Sequence, residues 1–217
     1  MLFMDTALLV KALGAFFAIM NPFINLPLFL SLTTGQDAAQ QRRIAWRTVA
    51  FSAVMCAVVA AAGSTLLNFF GITVDDFRVA GGLVLLMIAL GMLSGRGASA
   101  HEGTSAERDR ATERAGGADV SFYPMTFPIL VGPGTITTII VMFSQGESAA
   151  GKVMVALALA VVLAILGLVL HFSGAIGHHM SMTLRTIMTR LMGMILAAIA
   201  VGMLAAGLKD LLPGLAG

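Results

Sequence analysis

Charge is scarce in this chain. Only 11% of its 217 residues are Asp, Glu, Lys or Arg, against about a quarter in an average soluble domain. Nine of these charges, Arg96, Glu102, Glu107, Arg108, Asp109, Arg110, Glu113, Arg114 and Asp119, crowd into one stretch. The remainder cannot clothe a water-facing surface, which excludes a globular cytosolic enzyme. Hydrophobic residues make up 58% and mean hydropathy is +0.94, which excludes a disordered chain. A single cysteine, Cys56, excludes an internal disulfide and reads as a small hydrophobe in an apolar run. There is no Walker-type phosphate loop, no GxSxG and no HExxH, so nothing supports ATP-driven or hydrolytic chemistry, and no enzymatic activity is expected. His178-His179 stand without a neighbouring Cys or carboxylate, so no metal site and no cofactor are expected. A net charge of +2 marks no nucleic-acid surface; the Lys and Arg read as topology signals.

What is present is apolar run after apolar run. Cutting the chain at its charges leaves 12–36, 48–74, 79–95, 120–146, 153–170 and 191–208. A helix rises 1.5 Å per residue and the hydrocarbon core is about 30 Å thick, so roughly 20 residues span it. All six segments meet that length with a little snorkelling. The expectation is an all-α membrane protein with six transmembrane helices. The first segment lacks a basic leader and is too long for a signal-peptide core, so it counts as a span.

Orientation follows from Lys and Arg. The loops holding Arg42, Arg43 and Arg47, then Arg96, Arg108, Arg110 and Arg114, then Arg185 and Arg190, fall on one side, and Lys11, Arg78, Lys152 and Lys209 on the other. The richer side is cytoplasmic, which puts both termini on the periplasmic face of a bacterial inner membrane. A rival with the first and fourth segments as re-entrant hairpins also satisfies the charge rule. Arg78 and Arg190 read as snorkelling anchors, and Trp46 and His171 as interfacial residues.

The two halves carry matching marks. Pro22 and Pro27 lie mid-way along the first segment, and Pro128 and Pro133 mid-way along the fourth, each pair five residues apart. Arg78-Val79-Ala80-Gly81 opens the third segment and Arg190-Leu191-Met192-Gly193 the sixth. This order predicts two three-helix repeats, 1–95 and 120–217, joined by a flexible charged cytoplasmic loop, 96–119. Three spans per repeat make the copies inverted.

A proline removes one helical hydrogen bond and clashes with the preceding turn. Helices 1 and 4 are therefore expected to be broken at the midplane, where freed backbone groups must face protein or a water-filled cavity. Paired breaks of this kind point to a substrate site. The candidates are Asn21, Pro22, Asn25 and Pro27 in the first break, and Pro128, Gly132, Pro133, Gly134 and Thr135 in the second. N–H groups at Gly134-Thr135 suit a carboxylate. Carbonyls freed by proline, with the side-chain oxygens of Asn21 and Asn25, suit an ammonium group. Both charges of a small zwitterion would be met by dipoles, without an ionised side chain at the bilayer centre.

Asn21-Pro22-Phe23-Ile24-Asn25-Leu26-Pro27-Leu28-Phe29, then Val79-Ala80-Gly81-Gly82, then Pro128-Ile129-Leu130-Val131-Gly132-Pro133-Gly134-Thr135-Ile136 resemble the MarC family of bacterial inner-membrane proteins. The resemblance covers almost the whole chain. It implies six spans, a cytoplasmic central loop and, through an archaeal relative that carries glycine and alanine, transport of small neutral amino acids. The family's usual placement with LysE-like exporters supports transport and leaves direction open. The leading expectation is a secondary transporter of a small neutral solute working by alternating access. Its partners would be the small-molecule substrate, the lipid bilayer and a coupling ion, H⁺ or Na⁺, with a homo-oligomer admitted and no nucleic acid. The alternatives are an exporter of another metabolite or drug, and a non-transporting assembly or sensor subunit.

Overall fold

The computed structural model describes residues 2–94, 119–179, 181–212 and 214. Its helices are α1 (Leu2–Met20), α2 (Pro22–Leu32), α3 (Ala38–Phe69), α4 (Val74–Leu93), α5 (Ser121–Leu130), α6 (Pro133–Gln145), α7 (Ala149–His171), α8 (Ser173–His179) and α9 (Met182–Leu211). No strand is present among the described residues. The charged loop expected over 96–119 falls, up to residue 118, outside the described residues, as do the side chains of His178 and His179.

The helices outrun the apolar segments because polar caps, not the last apolar residue, set their ends. Asp37 and Gln40 form a capping box that starts α3 ten residues before the uncharged run, so Arg42, Arg43 and Arg47 ride on the helix rather than in a loop. Thr73 and Asp76 do the same for α4. Ser148 and Ser181 cap α7 and α9 by accepting from Gly151 N and Leu184 N.

Residues 6–32 (α1 with α2), α3, α4, α7 and residues 186–211 of α9 are each long and apolar enough to cross a membrane; the α5–α6 pair, bent by 60°, brings the number to six if it counts as one span. Val54, Val58, Phe69, Met87, Val153 and Val201 point outward, a surface suited to lipid. The chain is thus an all-helical, multi-pass membrane protein. Inside, Phe16, Ile19, Met20, Leu85, Met125 and Met142 join one buried core that links α1, α4, α5 and α6.

Glycines set the closest helix approaches. A Cβ on Gly82 of α4 would stand 3.1 Å from Ala200 O, and one on Gly193 of α9 would stand 3.2 Å from Ala89 O. At one end of that pair Arg78 Nη1 donates to Asp75 Oδ1 at 2.8 Å and to Asp210 Oδ2 of α9 at 3.1 Å. Arg78 is therefore ion-paired, more than the simple snorkelling anchor expected. Lys11 Nζ donates to Gln145 Oε1 at 2.9 Å. Elsewhere Arg47 pairs with Asp119, and Trp46 Nε1 donates to His171 Nδ1 at 3.1 Å. Gly167 leaves room for the Trp46 ring, which would lie 3.2 Å from its Cβ.

The bent α5–α6 pair lies along α3. Asp119 pairs with Arg47 near the start of α3, Thr126 Oγ1 donates to Thr48 O at 3.2 Å, and Ile140 fills the space beside Gly63 near its far end.

Gly82→Leu should wedge α4 away from α9 and lower the melting temperature by several degrees, the effect of about 1–3 kcal/mol of overpacking. Gly202→Leu, whose Cβ meets nothing within 4 Å, should leave it unchanged. Circular dichroism melts of both variants in detergent check this.

Candidate functional site

The first expected break is a one-residue interruption inside the span 6–32: α1 ends at Met20 and α2 begins at Pro22. Asn21 stands between them with φ 20° and ψ 90°, since a residue before proline is pushed out of the helical region. Pro22 occupies the first helical position, where its missing N–H is no loss. Asn21 Oδ1 accepts from Ile24 N at 3.2 Å and so caps α2. Asn25 Nδ2 donates to Met20 O at 2.6 Å and to Asn21 O at 3.2 Å, serving carbonyls at the break. Both asparagines are buried. Two of their polar atoms are left over: Asn21 Nδ2 and Asn25 Oδ1 are buried with no hydrogen-bond partner. The expected pair of free side-chain oxygens is therefore one oxygen, on Asn25, and one amide donor, on Asn21. The Asn21 oxygen is taken up by its own cap. Pro22 is buried and Pro27 half-buried within α2.

The second break is more open. α5 has wide turns interrupted by extended backbone at Tyr123 (φ −120°, ψ 124°) and Phe127 (φ −123°, ψ 129°), the residues preceding Pro124 and Pro128. Gly132 then leads into α6 with Pro133 at the first helical position. A Cβ on Gly132 would stand 2.3 Å from Pro128 O, so only glycine fits there. Thr135 Oγ1 donates to Leu130 O at 2.8 Å across the break, while Thr137 and Thr138 bond back to Pro133 O and Gly134 O. Because Pro133 has no N–H, Gly134 and Thr135 carry the first-turn donors of α6, which have no carbonyl of their own helix to meet.

A cavity of about 270 Å³ opens at this break. Its wall is Val84, Met87 and Ile88 of α4, Pro128 and Ile129 of α5, and Gly132, Pro133, Gly134 and Thr135 of α6. The structure thus brings Pro128, Gly132, Pro133, Gly134 and Thr135 together in one concavity. Asn21, Pro22, Asn25 and Pro27 do not line it. The first break approaches from behind, with Ile19 Cδ1 3.0 Å from a Cβ position on Gly134. The α4 wall was not foreseen. Its sequence signal was Gly81: a Cβ there would lie 1.7 Å from Thr137 Cγ2, so that glycine is what lets α4 approach α6. No charged side chain lines the cavity. Its polar groups are backbone and the Thr135 hydroxyl, an arrangement that can orient a small dipolar solute. Among the described residues no three of His, Cys, Asp or Glu gather to hold a metal.

A family model described as the MarC family integral membrane protein matches residues 6–212. The membrane protein YvbG of Bacillus subtilis is 37% identical over 198 residues, covering 91% of this chain and 92% of that protein. A membrane protein of Methanocaldococcus jannaschii is 33% identical over 210 residues, covering 96% of this chain and 100% of its own. The membrane protein YhcE of Escherichia coli is 27% identical over 213 residues, covering 98% and 97%. No solved structure matches the chain.

Proposed function

The chain belongs to the MarC family of integral membrane proteins, and from that premise we propose that it is a secondary transporter of small neutral amino acids. The observation that carries this reading is the uncharged cavity at the α5–α6 break, lined by Gly132, Gly134 and Thr135. A substrate carboxylate meets the first-turn N–H groups of α6, where the helix dipole is positive. Its small side chain lies against Val84 and Ile88. The unpartnered Asn21 Nδ2 and Asn25 Oδ1 form a second polar spot at the companion break. The Asn25 oxygen is an acceptor that suits an ammonium group, and the Asn21 amide a donor that suits a carboxylate.

Alternating access needs two inverted halves around these breaks. The helix pairing supports that: α1 and α2 pack on α7 as α5 and α6 pack on α3, and α1 and α2 meet α9 as α6 meets α4. Exchanging the halves carries α1–α7, α2–α7 and α2–α9 onto α5–α3, α6–α3 and α6–α4. A full fourth span is favoured over a hairpin, since α5–α6 follows α3 from Arg47 to Gly63. The arginine-rich ends of the helices then face the cytoplasm of a bacterial inner membrane and both termini the periplasm.

A second reading, export of a larger apolar metabolite or drug, draws on one feature. Met87 in the cavity wall is 72% exposed on the outer side of α4, which would give the cavity a lateral mouth.

Orientation is checked by thiol labelling of His178→Cys in a Cys56→Ser background. An impermeant reagent added to whole cells should leave it unlabelled; labelling from outside would overturn the six-span topology. Function is checked by flux in proteoliposomes. Wild type should move glycine and alanine, and Pro128→Ala and Pro133→Ala should insert normally yet move them at least about tenfold more slowly, a loss of roughly 1.4 kcal/mol. A wild type that moves neither amino acid overturns the reading.

A further inference from the structure

Between α3 and the irregular α5 lies a buried cluster of oxygens that the substrate cavity does not use. Thr48, Ser52, Ser121 and Thr126 are each 0% exposed. Thr126 Oγ1 lies 2.8 Å from Ser121 O, 3.2 Å from Thr48 O and 3.5 Å from Ser52 Oγ. The Thr126 proton is shared between two carbonyls, and in the third contact Ser52 can be the donor. Thr48 Oγ1 is buried with no partner at all, although a helical threonine usually bonds back to the preceding turn. A buried hydroxyl left unmet costs about 1–3 kcal/mol, and such a group calls for an unseen water or ion. The local backbone is also unusual: extended Tyr123 and Phe127 flank Thr126, so the carbonyls of α5 are not all committed to a helical ladder.

We propose that this cluster is a Na⁺ site and that Na⁺ is the coupling ion of the transporter. The role in coupling rests on the transport reading above; the binding does not. Its oxygens are neutral and hard, from two hydroxyl-bearing side chains of α3, one of α5, and main-chain carbonyls of both. A cation held at about 2.4 Å sets neighbouring ligand oxygens about 3–3.5 Å apart, and Thr126 Oγ1 stands 3.2 Å from Thr48 O and 3.5 Å from Ser52 Oγ. Unwound backbone and hydroxyls at a helix break are the donor set by which inverted-repeat transporters hold such an ion. A proton would need a titratable carrier. The titratable groups beside the cluster, Asp119 and Arg47, are paired with each other, and Asp119 also accepts from Ser121 N and Oγ, so the carboxylate there is already committed rather than a free proton carrier. A divalent ion would lack the carboxylates that balance its charge. The site also ties α3 of the first half to α5 of the second, so occupancy would fix how the halves meet beside the substrate cavity.

The test is the thermal stability of the purified full chain in NaCl, KCl and choline chloride at equal ionic strength. Na⁺ alone should raise the melting temperature, saturably and by about 2–5 °C. Thr126→Val and Ser52→Ala should abolish that rise. Equal melting temperatures in the three salts overturn the proposal, and so does a rise that survives in both variants. Flux separates the two claims. Alanine uptake driven by a pH gradient in Na⁺-free buffer overturns Na⁺ coupling and leaves the transporter reading intact. A Na⁺-specific melting shift without amino acid flux overturns the transporter reading and leaves the ion site standing.

Discussion

In hydrocarbon a backbone N–H or C=O without a partner is expensive, and there is no water to supply one. Proline in mid-span creates such groups, and most of the polar chemistry inside this bundle answers to them. Asn25 serves Met20 O, Asn21 serves Ile24 N, Thr135 serves Leu130 O and Thr126 serves Ser121 O. These are short, neutral side chains, each within one turn or so of the group it serves. Repair is incomplete, however. Asn21 Nδ2, Asn25 Oδ1 and Thr48 Oγ1 remain buried without partners. These unmet atoms, with the first-turn donors of α6, are where a solute or ion gains most by binding, because it replaces a missing bond rather than competing with water.

The second requirement is close packing around irregular backbone. α5 cannot seal itself with a regular ladder, so neighbouring helices must come near enough to shield it. Gly81 admits α6 to α4, Gly63 admits it to α3, and Gly132 admits the Pro128 carbonyl. The α4–α9 pair, drawn together through Gly82 and Gly193 and joined at one end by Arg78 and Asp210, forms a stiff wall. The cavity lies where that wall meets the break. Bundle rigidity and local irregularity are thus two parts of one arrangement, the first making the second tolerable.

Much of this was legible in the sequence. Charge-free runs marked the apolar helices, and the prolines marked where helix is interrupted, because proline acts on its own helix and needs no tertiary context; the interruption at Asn21 lies inside the single span 6–32, and the pronounced bend, 60°, is between α5 and α6. The second-break candidates from Pro128 to Thr135 do share one cavity. Other features depend on what lies opposite in space. Nothing in the spacing of Asn21 and Asn25 says which amide atom is spent on a cap. Val84, Met87 and Ile88 look like any apolar helix face until α6 is docked on them. The Trp46–His171 bond joins residues far apart in the chain. Helix ends were misplaced for a local reason: the Asp37–Gln40 and Thr73–Asp76 capping boxes lie outside the apolar runs that marked the spans.

The central claim is that a small solute binds at the α5–α6 break, and ligand protection tests it most directly. Val84→Cys, in a Cys56→Ser background, places one thiol on the cavity wall, and Lys152→Cys places a control thiol on the exposed Lys152 site. Alanine should slow modification of the thiol at position 84 by a small reagent and leave the one at 152 unaffected. An equal rate at position 84 with and without saturating amino acid would contradict the account.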